Sequence, residues 1–152
     1  MFPKVNRVSF FGMEKHHQAQ LLSMARADHE ILARAIKNFR RLFAGNHPST
    51  AAQEFNEIKQ LITQKIPEHF ADEEAVFPSL LSDNPSQHVA QVIAELRSEH
   101  IQLLEEVQQV SDQLHPCTLT QCHGHLWLAM LDVFKALEKH AAKEEQLFKS
   151  FR

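Results

Sequence analysis

The sequence predicts an all-α protein, an up-down-up-down four-helix bundle, and three observations carry that prediction. Only three glycines occur in 152 residues, while Ala, Leu, Gln, Glu and Lys are abundant, a composition that loses little side-chain freedom on becoming helical. Apolar residues recur at spacings of three, four and seven along most of the chain, the period of one buried helix face. Turn-forming residues interrupt this pattern in three places, leaving four long segments joined by short loops.

The first helix is expected from about Glu14 to Phe43, after an N-terminal arm of residues 1–12, and stops at Ala44-Gly45-Asn46-His47-Pro48. The second is expected to begin near Pro48, a residue suited to the first helical position, and to reach about Leu81. Pro67 lies inside it and should kink or split it, because it removes one backbone hydrogen bond. Asp83-Asn84-Pro85 offers a cap and a first-turn proline for the third helix, about Pro85 to Leu114. After His115-Pro116-Cys117, Thr118 or Thr120 can cap the fourth, which runs to about Ser150. The whole chain, residues 1–152, reads as one domain.

Composition also narrows the function. With 43% hydrophobic and 23% charged residues the chain is globular. A formal charge of −3 gives no basic footprint, so nucleic acid is not the expected partner. No apolar run has the length of a membrane span, and Met1 to Gly12 has no secretory core or cleavage pattern. Two cysteines, Cys117 and Cys122, do not make a disulfide framework. A cytoplasmic protein is expected. The absence of tyrosine excludes chemistry through a tyrosyl radical.

An internal repeat organises the eleven histidines. The segment from His69 to Leu80 aligns with that from His140 to Phe151 at an offset of 71 residues, with six of twelve positions identical. The same offset carries Asp28-His29 onto Glu99-His100. Helices one and two thus read as a copy of helices three and four, and the bundle should have an approximate two-fold axis.

His29, His69, His100 and His140 each fall on the apolar stripe of their helix. Glu73 and Glu144 follow their histidines by four residues, a turn of about 400°, so each points the same way. A single histidine on such a stripe is more often a hydrogen-bonded core residue. Four of them from four helices, with two carboxylates, are a different matter. Burying unpaired carboxylates is costly, and cations remove that cost. Six side chains are too many for one tetrahedral zinc and suit two octahedral first-row ions. Two bridging carboxylates and two imidazoles would give each ion four protein ligands. A bridging oxo or hydroxo group would be a fifth, leaving one position each for a small exogenous ligand. Glu74 and Glu145 fall one residue further round and read as solvated charge.

At these residues the chain resembles the hemerythrin-like (HHE cation-binding) family of four-helix diiron proteins. The resemblance rests on Asp28-His29-Glu30, His69-x3-Glu73, Glu99-His100 and His140-x3-Glu144, and covers nearly the whole chain. It implies two non-haem iron ions, with His29, His69, His100 and His140 as the imidazole ligands and Glu73 and Glu144 as bridging carboxylates. It also implies a small partner at an open position, O2 or NO, or labile iron. Oxygen-carrying hemerythrins place a second histidine four residues after the third-helix one, where this chain has Leu104. They end with an aspartate five residues after the last histidine, where this chain has Glu145. The four-histidine, two-glutamate set is closer to relatives implicated in iron sensing, nitric-oxide chemistry and iron–sulfur repair. The expected function is therefore binding or sensing at a diiron centre. The alternatives are a diiron nitric-oxide reductase or peroxide-handling enzyme, and an iron donor for cluster repair. Ferritin-like oxidases differ, having four carboxylates to two imidazoles.

Seven histidines remain: His16, His17, His47, His88, His115, His123 and His125. Most read as surface or loop residues. The segment from His115 to His125, with Cys117 and Cys122, is the densest. It reads first as a polar turn entering the fourth helix, and second as a zinc, copper or redox site, although Cys-x4-Cys is not a usual zinc spacing.

Overall fold

The computed structural model of the chain describes residues 7–45 and 49–151, with side chains from residue 16 onward. Five α-helices are present: α1 (Arg7–Phe43), α2 (Ala51–Gln60), α3 (Ile66–Asp83), α4 (Gln87–Leu114) and α5 (Gly124–Lys149). A π-helical turn, Leu61–Lys65, joins α2 to α3, and the three run on as one bent helix. The molecule is therefore a four-helix bundle, with no strand among the described residues.

The order and direction of the helices follow from cross-helix contacts. Gln18 near the start of α1 accepts from Ser79 near the end of α3, at 2.5 Å. Arg41 at the end of α1 pairs with Glu54 at the start of α2. Arg40 and Arg26 of α1 face Glu138 and Glu145 of α5 in the reverse order. Each helix thus runs antiparallel to its neighbours, as short loops require.

Several boundaries differ from the sequence expectation. α1 begins at Arg7, so the expected arm of residues 1–12 overlaps its first turns, while residues 1–6 lie outside the described residues. Gly45 takes φ 88° and ends α1, where a residue without Cβ tolerates the left-handed conformation. His47 and Pro48 lie outside the described residues. The next helix starts at Ala51 after Thr50, so Pro48 is not its first residue. Pro67 acts as expected: the break before it is the widened turn, in which the Ile66 N–H donates to the Leu61 carbonyl five residues back. Pro78 also sits inside α3, a second interruption that the sequence reading passed over. Ser86, not Asn84 or Pro85, caps α4, its hydroxyl accepting from the Val89 N–H at 3.2 Å. Thr118 begins only a short 3-10 turn, Leu119–Gln121, and α5 starts at Gly124 after His123, with no side-chain cap. Residues of similar capping preference lie within two or three positions of one another in these loops, and tertiary packing selects among them.

The core is divided in two. One apolar cluster fills the end of the bundle around Phe39, Phe55, Ile62, Val107 and Phe134. A second fills the other end around Phe77, Leu80, Ile93, Leu96 and Phe148. Burying each such side chain contributes about 1.5–3 kcal/mol. Between the two clusters lies a single polar layer, and the repeated histidines and glutamates are in it.

Candidate metal centre

All six expected residues meet in that layer. Glu73 and Glu144 are 1% and 0% exposed, and His100 and His140 are each 1% exposed. His29 and His69 are half-buried and reach the same space from α1 and α3. His69 Nε2 lies 2.9 Å from Glu73 Oε1, and His140 Nε2 lies 2.9 Å from Glu144 Oε1. Across the layer, His100 Nε2 is 3.5 Å from Glu73 and His29 Nε2 is 3.6 Å from Glu144. The equal members of each pair of distances are those the 71-residue repeat exchanges. The approximate two-fold axis passes between the two glutamates.

The side chains form two overlapping groups able to hold a metal ion. One is His29, His69, Glu73 and Glu144, the other His100, His140, Glu73 and Glu144, each with its ligand atoms within 4.8 Å of one another. The sequence left open which histidines would pair, and the geometry groups them by hairpin. The two glutamates are common to both groups. Among the described residues these two are the groups of that kind, and none includes the His115–His125 loop.

Outer carboxylates fix the rings. His29 Nδ1 donates to Glu145 at 2.9 Å, His69 Nδ1 to Asp28 at 2.9 Å, and His100 Nδ1 to Glu74 at 2.9 Å. A carboxylate only accepts, so the proton sits on Nδ1 and the Nε2 lone pair faces the interior, the tautomer a metal requires. Arg97 donates to Glu74 at 3.0 Å, and Arg26 lies 3.8 Å from Glu145. The expectation of solvated charge for Glu74 and Glu145 is thus corrected: each is partly exposed but anchors a histidine of a neighbouring helix. Sequence reasoning missed Arg26, Arg97, Glu74 and Glu145 in this role. The signal was present, since the offset of 71 aligns arginine with arginine and glutamate with glutamate.

The electrostatics of these side chains favour a cation among them. Burial raises the Glu73 pKa, but the nearby His100 and His69 imidazoles, when charged, outweigh it and lower the carboxyl to about 2. Burial opposes charging of His69, yet Glu73 and Asp28 together hold its pKa above the usual imidazole value. Burial and the neighbouring His100 push His140 down to about 4. Even so, both oxygens of Glu73 and of Glu144, and the Nε2 atoms of His29, His100 and His140, are buried without a hydrogen-bond partner. Orphaned buried acceptors in such number are costly in a native protein. A cation satisfies all of them together, so the residues fit a metal, and the chain is a metal-binding helical protein.

A cavity of about 230 Å³ adjoins His29, His69, His140 and Glu144, with Met24, Leu32, Leu61, Ile66, Phe70 and Leu137 supplying apolar walls. Phe70 stacks on His100 at 4.3 Å, and its counterpart in the second half is Ala141, which lines the cavity. A second hollow, of about 370 Å³, adjoins His100 on the other side of the layer, between Phe70 and Leu104.

Six of the seven other histidines stay outside this layer. His16, His17, His88, His115, His123 and His125 are exposed, and His47 lies outside the described residues. Cys117 and Cys122 are free thiols, and burial together with Cys117 pushes the Cys122 thiol up to about 11. Such a thiol is a poor nucleophile and a poor metal ligand at neutral pH. The loop is a polar turn entering α5. No helix among the described residues is long and apolar enough to cross a membrane.

The chain matches no curated protein and no solved structure. Residues 21–151 match the family model described as the hemerythrin HHE cation binding domain, and this range contains all six core side chains. A match over that much of the chain, on a four-helix bundle, means that this chain belongs to the hemerythrin HHE cation-binding domain family.

Proposed function

We propose that the protein is a non-haem diiron protein that binds or senses a small neutral ligand, O2 or NO, in a reducing compartment such as the cytoplasm. His29 and His69 would hold one iron, His100 and His140 the other, and Glu73 and Glu144 would bridge them. The single observation that carries this reading is the pair of overlapping four-residue groups sharing both glutamates. Nitrogen and oxygen ligands without thiolate suit first-row ions in octahedral surroundings. When bound, the irons supply reversible one-electron chemistry and an open coordination position.

The chain's own residues do the rest. The outer carboxylates hold three of the four rings in the ligating tautomer, and the two apolar clusters exclude bulk water from the layer. The apolar cavity beside His29 and His69 offers a neutral molecule a path that an anion would enter only at the cost of desolvation. Asp28, Glu68 and Asp72 on its rim, against Lys65, add repulsion to anions. The same cavity favours a second reading. A volume of about 230 Å³ exceeds the roughly 30 Å³ share of one water molecule several-fold. It has room for a reactant larger than a diatomic, as a peroxide-handling enzyme requires.

Elemental analysis of anaerobically purified protein, followed by stopped-flow spectra of the reduced form with O2 and NO, tests the proposal. Two irons per chain and a reversible adduct are expected. One metal per chain, or two zincs, would remove the diiron reading, while multiple turnover of peroxide or release of N2O would move it to catalysis.

A further inference from the structure

The repeat gives every group of the centre a counterpart, so departures from symmetry stand out. Three of the four outer ring contacts are hydrogen bonds of 2.9 Å. The fourth is broken. His140 Nδ1 lies 3.6 Å from Glu99 Oε1, beyond hydrogen-bonding distance, and that nitrogen is buried without a partner. Glu99 instead accepts from Lys143 Nζ at 2.7 Å, and Lys143 also reaches Glu95 at 3.6 Å. The counterparts of Glu95, Glu99 and Lys143 in the first half are Met24, Asp28 and Asp72. The position matching Lys143 carries no cation, and Asp28 accepts from His69 Nδ1.

We propose that Lys143 makes the two metal positions unequal. By drawing Glu99 off the His140 ring, it leaves that imidazole without an outer acceptor, so the position built on His100 and His140 binds metal more weakly than the one built on His29 and His69. The inference rests on the two-metal reading above. Loss of an outer carboxylate contact costs roughly 10- to 100-fold in metal affinity. Lys143 is therefore a positioning residue. Its own charge has little direct effect, because it is partly exposed to solvent and already paired with two carboxylates.

Chelator-competition titration of the metal-free protein with Zn2+ provides the test. The native chain should take up two zinc ions with affinities at least about 10-fold apart, and His140→Ala should abolish the weaker phase while keeping the tighter one. Lys143→Ala should bring the two affinities together, and Lys143→Arg should keep them apart. In a Glu99→Ala background, Lys143→Ala should change nothing, because the carboxylate through which it acts is gone. Proton–nitrogen spectra of the zinc-loaded protein give a second readout: three slowly exchanging histidine Nδ1–H signals in the native chain and a fourth in Lys143→Ala. Equal native affinities, an unchanged ratio in Lys143→Ala, or a change that persists without Glu99 would each overturn the role of Lys143. Uptake of fewer than two zinc ions would overturn the two-metal reading, and this inference with it.

Discussion

Replacing Glu144 by methionine should move the stability of the metal-free and metal-loaded proteins in opposite directions. Glu144 is fully buried, and both its oxygens lack a hydrogen-bond partner. Each unsatisfied buried polar group costs about 1–3 kcal/mol. Methionine is unbranched, of similar length and apolar, so it fills the same space without that cost. The usual objection is that removing one member of a buried pair strands the other as a bare charge. It does not apply to His140, the nearest imidazole, which burial and His100 hold down to about 4 and which is neutral at pH 8. Exchanges of buried ionic groups for apolar ones of like volume often stabilise by about 1–4 kcal/mol. In a domain of this size each kcal/mol is worth about 2–4 °C, so the metal-free variant should melt roughly 2–16 °C above the metal-free native protein.

The loaded state should reverse the order. Two metal ions, each present at 100 times its Kd, add about 2.7 kcal/mol apiece to the native protein by mass action, together more than the gain of the metal-free variant. The variant loses one shared carboxylate from both metal groups and with it most of that gain. Scanning calorimetry at pH 8, with and without a chelator, reads both quantities in one series. A metal-free Glu144→Met protein that melts at or below the metal-free native protein would refute the reasoning. Glu144 would then be stabilising the fold itself rather than being held at a cost for a ligand.

Three further outcomes follow from the geometry. Metal loading should tighten as pH rises, because the folded His69 holds its proton above the usual imidazole value and must release it to ligate. The sign is that of a raised pKa: stability from the His69 pairing is present below about 6.5 and lost as pH rises through the higher folded value. Asp28→Asn removes one of the causes and should move the His69 titration of the metal-free protein, followed by proton–nitrogen spectra, to lower pH, and an unmoved titration would count against it. Phe70→Ala removes a fully buried ring stacked on His100 and edge-on to His140, and should cost about 3–5 kcal/mol in denaturant unfolding. A loss under about 1 kcal/mol would show that the layer does not depend on that packing. The double variant Cys117→Ser, Cys122→Ser should keep its full metal content by elemental analysis, since neither thiol approaches the centre, and loss of metal would revive the loop as a ligand source.

What the sequence carried about this protein depended on whether a contact lies within one helix or between two. His69 and Glu73 share a face because they are one turn apart, and periodicity reads that directly. The repeat then supplies the rest of the inner set by analogy. Glu74 and Glu145 lie about 100° further round their helices. Their value comes from the neighbouring helix, where His100 and His29 present their Nδ1 atoms. Only the lateral order of the four helices brings these groups together, and period alone does not encode it. The same holds for the pairing of histidines and for the cavity beside His29, whose walls come from α1, α3 and α5. Lys143 is the sharpest case. Its mismatch with Asp72 is visible in the aligned halves, as one unlike pair among several. It gains meaning only from two distances, 2.7 Å to Glu99 and 3.6 Å from Glu99 to His140. In a duplicated fold, identical positions identify the shared site. The mismatched ones are where the two halves can acquire different chemistry, and here the mismatches at residues 72/143 and 70/141 both adjoin the metal layer.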